Sequence, residues 1–277
     1  MANTIGYGQG AVNNSNGWGK SATNNTIDFG EVCADSYSPE TNLVGGSSFS
    51  NTYSTDYDGI DAYVSTDSTY SELDGQTKAT FSCWIKPTTS AVNRNIFHIG
   101  NGATSGVSGV CQLWIRQGNR IDFSIDTGSY FGRADINSIN YGSWNHILIA
   151  IDLDSTDEFK CYVNGSDATT LDNLGSRTSF STATESLLIG EMGTGQYHPF
   201  LGNIDEFAIW SGTDLRNDVA TIYNSGVPNN LNDNGLTAPT SWYRFEEGSG
   251  TTIADSGSST NNATIQNSVT FETDVPT

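Results

Sequence analysis

From residue 51 onward, short apolar or alternating runs recur between clusters of Gly, Asn, Asp and Ser. The clearest are 60–65, 80–86, 94–99, 110–117, 120–126, 145–152, 158–164, 186–190, 203–210 and 241–246. Each has the length and turn punctuation of a strand. No long stretch repeats apolar residues every three or four positions. About ten strands without helical periodicity predict an all-β antiparallel sandwich or barrel. Gln117-Gly118-Asn119 and Asn164-Gly165 predict hairpin turns, because Gly and Asn accept positive φ. One helical turn is expected at Leu215 to Tyr223, with Asp214 as its N-cap.

The same alternation sorts side chains by face. Cys83, Cys111 and Cys161 share parity with large apolar neighbours, which puts them on buried faces of their strands. With Cys33 they read as free thiols, and no Cys-x-x-Cys spacing suggests zinc. Trp84 and Trp114 have the opposite parity. They are expected on a second, partly covered sheet face, either as a sugar-stacking platform or as a second core.

The first 42 residues differ. Gly6 to Asn16 and Gly17 to Ile27 are tandem copies of one unit reading Gly-aromatic-Gly, with a stub at Asp28-Phe29-Gly30. One aromatic per unit cannot build a core. Glycine backbone can lie against another surface while Tyr7, Trp18 and Phe29 fill pockets on it. Residues 1–42 therefore read as an extended attachment arm, with a disordered Gly/Asn-rich tail as the alternative. The sandwich is assigned to 43–277.

Charge narrows the partners. The 277 residues carry 11 Lys plus Arg against 31 Asp plus Glu, a formal charge of −20. Such a field repels phosphates, so nucleic acid is not an expected partner. An acidic surface serves solubility, calcium or a basic partner. No apolar stretch is long enough to span a membrane. Met1 to Gly6 has neither a basic nor an apolar signal region, so export by particle assembly and lysis is expected rather than secretion.

An ordered series of motifs resembles the laminin-G-like, concanavalin A-like jelly rolls. It begins with Tyr57-Asp-Gly-Ile-Asp-Ala-Tyr-Val64 and Ala79-Thr-Phe-Ser-Cys-Trp-Ile-Lys-Pro87. Gly142-Ser-Trp-Asn-His-Ile147, Lys160-Cys-Tyr-Val-Asn-Gly165, Leu187-Leu-Ile-Gly190 and Phe200 to Trp210 follow. Ser241-Trp-Tyr-Arg-Phe-Glu-Glu247, which resembles the opening of such domains, here stands near the end. The resemblance implies a permuted jelly roll in which 236–277 complete the same sandwich. The leader and the Trp-Tyr-Arg-Phe strand also resemble virion-surface proteins of tailed phages. That implies a homo-oligomeric capsid decoration or tail-fibre component, anchored to a capsid or fibre protein and displaying a lectin-like domain.

A structural Ca²⁺ is implied by resemblance at Asp58, Asp61 and Asp205, although Asp58 and Asp61 also suit a turn held by side-chain to backbone hydrogen bonds. Glycan contacts are expected from loops 126–133 and 193–199, through Tyr130, Arg133, Tyr197 and His198. His98 and His146 read as structural. Retaining glycosidases of this fold need two carboxylates on one face about 5 Å apart. Asp205-Glu206 and Glu246-Glu247 are adjacent and, on a regular strand, point to opposite faces. A non-enzymatic role is therefore expected, with a soluble lectin as the alternative and a glycan-cleaving enzyme behind both.

Overall fold

The structure is a computed structural model. It describes residues 49–88, 92–100, 111–117, 120–125, 132–135, 139–172, 178–182, 185–192 and 198–277. Tyr7, Trp18, Phe29 and Cys33 lie outside these residues, as do Tyr130 and Tyr197.

Strand β3 (Lys78–Pro87) shows how alternation becomes a sandwich. Ala79, Phe81, Cys83 and Ile85 face the interior core. Thr80, Ser82 and Trp84 face the other way. β3 lies between β8 (Asn145–Asp152) and β13 (Leu201–Ser211). Beyond β8 come β9 (Phe159–Val163) and β10 (Ser166–Asp167). Beyond β13 come β1 (Ser54–Asp58) and β17 (Thr270–Glu272), and β14 (Ser241–Tyr243) pairs with the far end of β13.

The second sheet runs β11 (Thr169–Asp172), β7 (Gly132–Asp135), β6 (Arg120–Ile125), β5 (Cys111–Arg116) and β4 (Arg94–Ile99). It continues with β12 (Leu187–Ile189), β2 (Tyr63–Thr66), β16 (Ala263–Gln266) and β15 (Thr252–Ile253). Every pairing is antiparallel. The chain is an all-β antiparallel sandwich.

Between the sheets lies an aromatic core. Phe81 stacks on Phe97 at 4.9 Å, and Phe97 meets Phe207 edge-on at 5.4 Å. Each such ring, fully buried, contributes about 1.5–3 kcal/mol. Cys83, Cys111 and Cys161 are free and buried, and burial pushes all three thiols up. The residues from 241 onward enter both sheets, and Tyr243, Phe245, Ile253, Ala263 and Val269 join this core.

The outer face of the first sheet is roofed by the chain itself. Leu215, Val219, Ile222 and Leu231 pack on Leu148, Ala150, Ala208, Trp210 and Trp242. Val219 and Ile222 belong to the short helix α1 (Val219–Tyr223). It starts later than expected, after Asp218 rather than Asp214. The Asp214 carboxylate instead accepts the backbone N–H of Arg216 and pairs with its guanidinium at 2.6 Å. The Leu215 N–H donates to Thr80 Oγ1, tying that stretch to β3 instead of to a helical turn.

Gly118 and Asn119 of the first predicted turn lie outside the described residues, and the second is observed. Asn164 (φ 49°) and Gly165 (φ 77°) turn β9 into β10, as a type I′ hairpin requires. The run expected at 60–65 is the arrival of β2, preceded by a turn and by β1, whose sequence Ser-Thr-Asp-Tyr-Asp is too polar to read as a strand.

Candidate glycan-binding face

The outer face of the second sheet has a different character. Along β5, Cys111, Leu113 and Ile115 enter the core, so Gln112, Trp114 and Arg116 face outward. In β4 the register shifts by one residue between Asn95 and Phe97. This bulge turns Asn95 outward while Phe97 stays in the core. The ladders then align Asn95, Trp114, Asp122 and Arg133 in one row across four strands. His98, Gln112 and Ser124 form the next row.

Asp122 is fully buried and gathers cations. Its carboxylate lies 3.1 Å from Arg116 Nε, 2.6 Å from Arg120 Nε and 3.4 Å from Arg133 Nε. A buried carboxylate needs such partners, because leaving it unpaired costs several kcal/mol. The Arg116 guanidinium lies over the Trp114 ring, 4.4 Å from its centroid. The His198 ring lies 5.1 Å from the same indole. The His198 backbone carbonyl accepts the Asn95 N–H, which pins the residue at φ 57° beside β4. Burial, then the charges of Arg116 and Arg94, lower the His198 pKa and favour the neutral ring. His98 contacts Gln112 at 3.2 Å, and burial drives it down to about 4, so it too is neutral at pH 7.

Several polar atoms on this face lack a protein partner although they are buried. They are both amide atoms of Asn95, Trp114 Nε1 and Ser124 Oγ. Each unmade bond costs about 1–3 kcal/mol, so a concentration on one face marks where water or a polar ligand completes them. The arrangement offers an indole, a carboxamide, a hydroxyl and rim guanidiniums. These are groups that hold a ring with apolar faces and hydroxyl edges.

Of the residues expected to contact glycan, His198 lies against Trp114, and Arg133 stands in the same cross-strand row, beyond Asp122. Asn95 and Asp122 were not anticipated. Asn95 sits outward only through the bulge in β4, whereas Asp122 alternates outward between Ile121 and Phe123; which strands flank it is set by a cross-strand register that no single strand's pattern shows. Trp114 was legible as outward-facing from its parity against Cys111.

The three carboxylates expected to hold calcium do not converge. Asp58 is paired with Leu201, so Asp205 lies four residues further along β13, about 13 Å away. Asp58 Oδ1 accepts the backbone N–H groups of Ile60, Asp61 and Ala62, shaping the turn into β2. Burial raises its pKa, but these bonds outweigh that and leave it lowered. Among the described residues, no three His, Cys, Asp or Glu side chains are grouped to hold a metal ion.

Asp205 and Glu206 also depart from expectation. The β13–β3 register shifts between Asp205 and Ala208, and Glu206 has φ 49°. Ile204 and Phe207 both enter the core, so Asp205 and Glu206 both face outward under the roof. They are 0 % and 3 % exposed. Asn51 donates to Asp205 at 2.9 Å, while Trp242 Nε1 and Arg244 Nε approach Glu206 at 2.6 and 3.3 Å. Burial raises both pKa values; mutual repulsion adds to the rise at Asp205, and Arg244 and Trp242 oppose it at Glu206.

Beside this pair, His146 Nε2 meets Ser82 Oγ at 2.8 Å under Trp84 and Tyr223. The cavity lined by Ser82, Trp84, His146, Glu206 and Asn229 has about 10 Å³, the space of one water. No saccharide reaches these groups there, and burial drives His146 down to about 3.

The sandwich and its matched motifs agree with known proteins. The family Laminin_G_3, described as the concanavalin A-like lectin/glucanases superfamily, matches residues 58–220. The chain belongs to this family. A comparison with curated proteins found no match. Among solved structures it resembles a protein of Bacteroides ovatus described as a candidate carbohydrate-binding protein. The TM-score is 0.58 at 17 % identity, over 82 % of this chain and 62 % of that one. The chain thus spans under two thirds of that relative's length. It also resembles the heptameric SAP-like pentraxin of Limulus polyphemus, with TM-score 0.50 at 16 % identity over 62 % of this chain and 82 % of that one. The extracellular region of zebrafish Gpr126/Adgrg6 gives TM-score 0.51 at 12 % identity, over 81 % of this chain and 26 % of that one. At these identities the likeness is one of fold.

Proposed function

We propose that this chain is a non-enzymatic, lectin-like module that binds glycan on the outer face of its nine-stranded sheet. The observation that carries the reading is the row Asn95, Trp114, Asp122 and Arg133, with unpartnered polar atoms beside an indole. The family and the carbohydrate-binding description of the Bacteroides ovatus relative support it. The other outer face is roofed by residues 213–240 over the Asp205–Glu206 pair; on the candidate face Trp114 is itself 6 % exposed, and the side chains that reach solvent are Arg120 and Arg133 at its rim. A glycan array probed with the full chain tests the reading. Binding is expected and is lost in Trp114→Ala. Reducing-sugar release that disappears in Glu206→Gln would instead mark an enzyme.

The setting we propose is the surface of a virion, as a homo-oligomeric capsid decoration or fibre component of a tailed phage. The repeated Gly-aromatic-Gly units of residues 1–42 support it, as an arm that seats Tyr7, Trp18 and Phe29 on a capsid or fibre protein. Immunogold labelling of intact particles is expected to decorate the shell or the tail. Deletion of residues 1–30 is expected to release the protein, and unlabelled particles would sink this part of the proposal.

A further inference from the structure

The chain contains four Asn-Gly pairs, at Asn16, Asn101, Asn164 and Asn234, and the first two lie outside the described residues. The other two are alike in sequence and differ in structure. Asn164-Gly165 is held on every side. Asn164 Oδ1 accepts the His146 N–H at 2.8 Å, and Nδ2 donates to Asn145 Oδ1 at 3.4 Å. The Asn164 N–H donates to the His146 carbonyl, and a Cβ on Gly165 would lie 2.6 Å from the Tyr223 ring. Asn234-Gly235 lies in the roof between Leu231 and Leu236, which both pack on the Trp210 cluster. Asp233 and Gly235 are exposed. Gly235 takes φ 85°, with nothing within 4 Å of where a Cβ would stand. Asn234 Nδ2 is buried and has no hydrogen-bond partner among the described residues. Asn234 Oδ1 accepts the Leu236 N–H at 3.0 Å.

We propose that Asn234 is a self-modification site that converts to aspartate and isoaspartate as the protein ages, while the fold protects Asn164. The Gly235 backbone nitrogen gives its proton to a solvent base and attacks Asn234 Cγ. The new N–Cγ bond closes a five-membered imide. The Cγ–Nδ2 bond breaks, and Nδ2 takes a proton from water and leaves as ammonia. Water then opens the imide at either carbonyl: at Cγ it gives aspartate, at the backbone carbon isoaspartate. One ammonia is lost, one water is gained, and nothing is oxidised or reduced. The Leu236 N–H meets the charge that develops on Oδ1. Glycine sets no side chain against the attack, and the departing amide has no hydrogen bond to break. The product carries a charged oxygen where the buried Nδ2 stood, next to Asp233. A buried charge without a partner is costly, so the segment from Leu231 to Leu236 loosens. Leu231 also lines the cavity at Glu206, so the change reaches the underside of the roof.

The test incubates the full, unmutated chain in mildly alkaline buffer and follows each Asn-Gly peptide by mass spectrometry. Enzymatic methylation of isoaspartate separates the two products. Asn234 is expected to convert at least about tenfold faster than Asn164, whose amide bonds must first break. In concentrated urea, where both pairs are unfolded, the ratio is expected to fall towards one. Protease cleavage within residues 231–236 is expected to rise with the converted fraction. Equal conversion at the two sites in the folded chain, or faster conversion at Asn164, overturns the proposal. A ratio that survives in urea overturns it too, because the difference would then belong to the neighbouring residues and not to the fold.

Discussion

Glu206 shows how one residue's backbone changes what its neighbour can do. Its φ of 49° inserts an extra residue into β13 and places two carboxyls together under the roof. Burial raises Glu206 from its ordinary 4.5 to about 8. A raised folded value means the folded state holds its proton longer than the unfolded chain does. The linked stability is therefore complete below about pH 4.5 and is lost as pH rises through about 8. Urea midpoints are expected to fall between pH 5 and pH 9, and Glu206→Gln is expected to flatten that fall. A slope unchanged in the variant would place the titration elsewhere. At the same scale, Trp114→Ala removes the indole that both Arg116 and His198 contact. Glycan affinity should drop by at least about tenfold, the size of a binding hot spot.

At the scale of elements, the junction of β3 and β13 is the tightest constraint. Gly202 sits at φ 125°, and a Cβ there would lie 2.1 Å from the Lys86 carbonyl oxygen. Both strain and collision oppose any side chain. Gly202→Ala is expected to cost about 2–4 kcal/mol in chemical denaturation, against the usual fraction of a kcal/mol for a tolerant glycine. The central strands were legible because their inward residues are large and regular, as at Phe81, Cys83 and Ile85 or Leu113 and Ile115. The short strands β1, β7, β10, β11, β15, β16 and β17 were not. Several lie at or near sheet edges, and together they carry mostly Ser, Thr and Asp, so little hydrophobic pattern marks them.

Over the whole molecule, the last strands close what the first ones open. β17 pairs with β1 and β16 with β2, although more than 190 residues separate them. Truncation after residue 240 would strip β1, β2 and β13 of partners and expose Phe207. The shortened chain is expected to be insoluble or to lack a cooperative thermal transition, while residues 49–277 retain one. A cooperative transition in the truncated chain would mean that the C-terminal strands are dispensable.

What the amino-acid sequence determined by itself is the fold class and the face each central residue takes, because a period of two survives without knowledge of partners. It also placed Trp114 outward and named Arg133 and His198 as candidate glycan contacts. Only the tertiary structure decided that these three share one face, that Asn95 and Asp122 join them, and that Asp58 and Asp205 stand apart. Register, bulges and the choice of neighbouring strand make those decisions. They arise from packing between segments far apart in the chain, and no local pattern carries them.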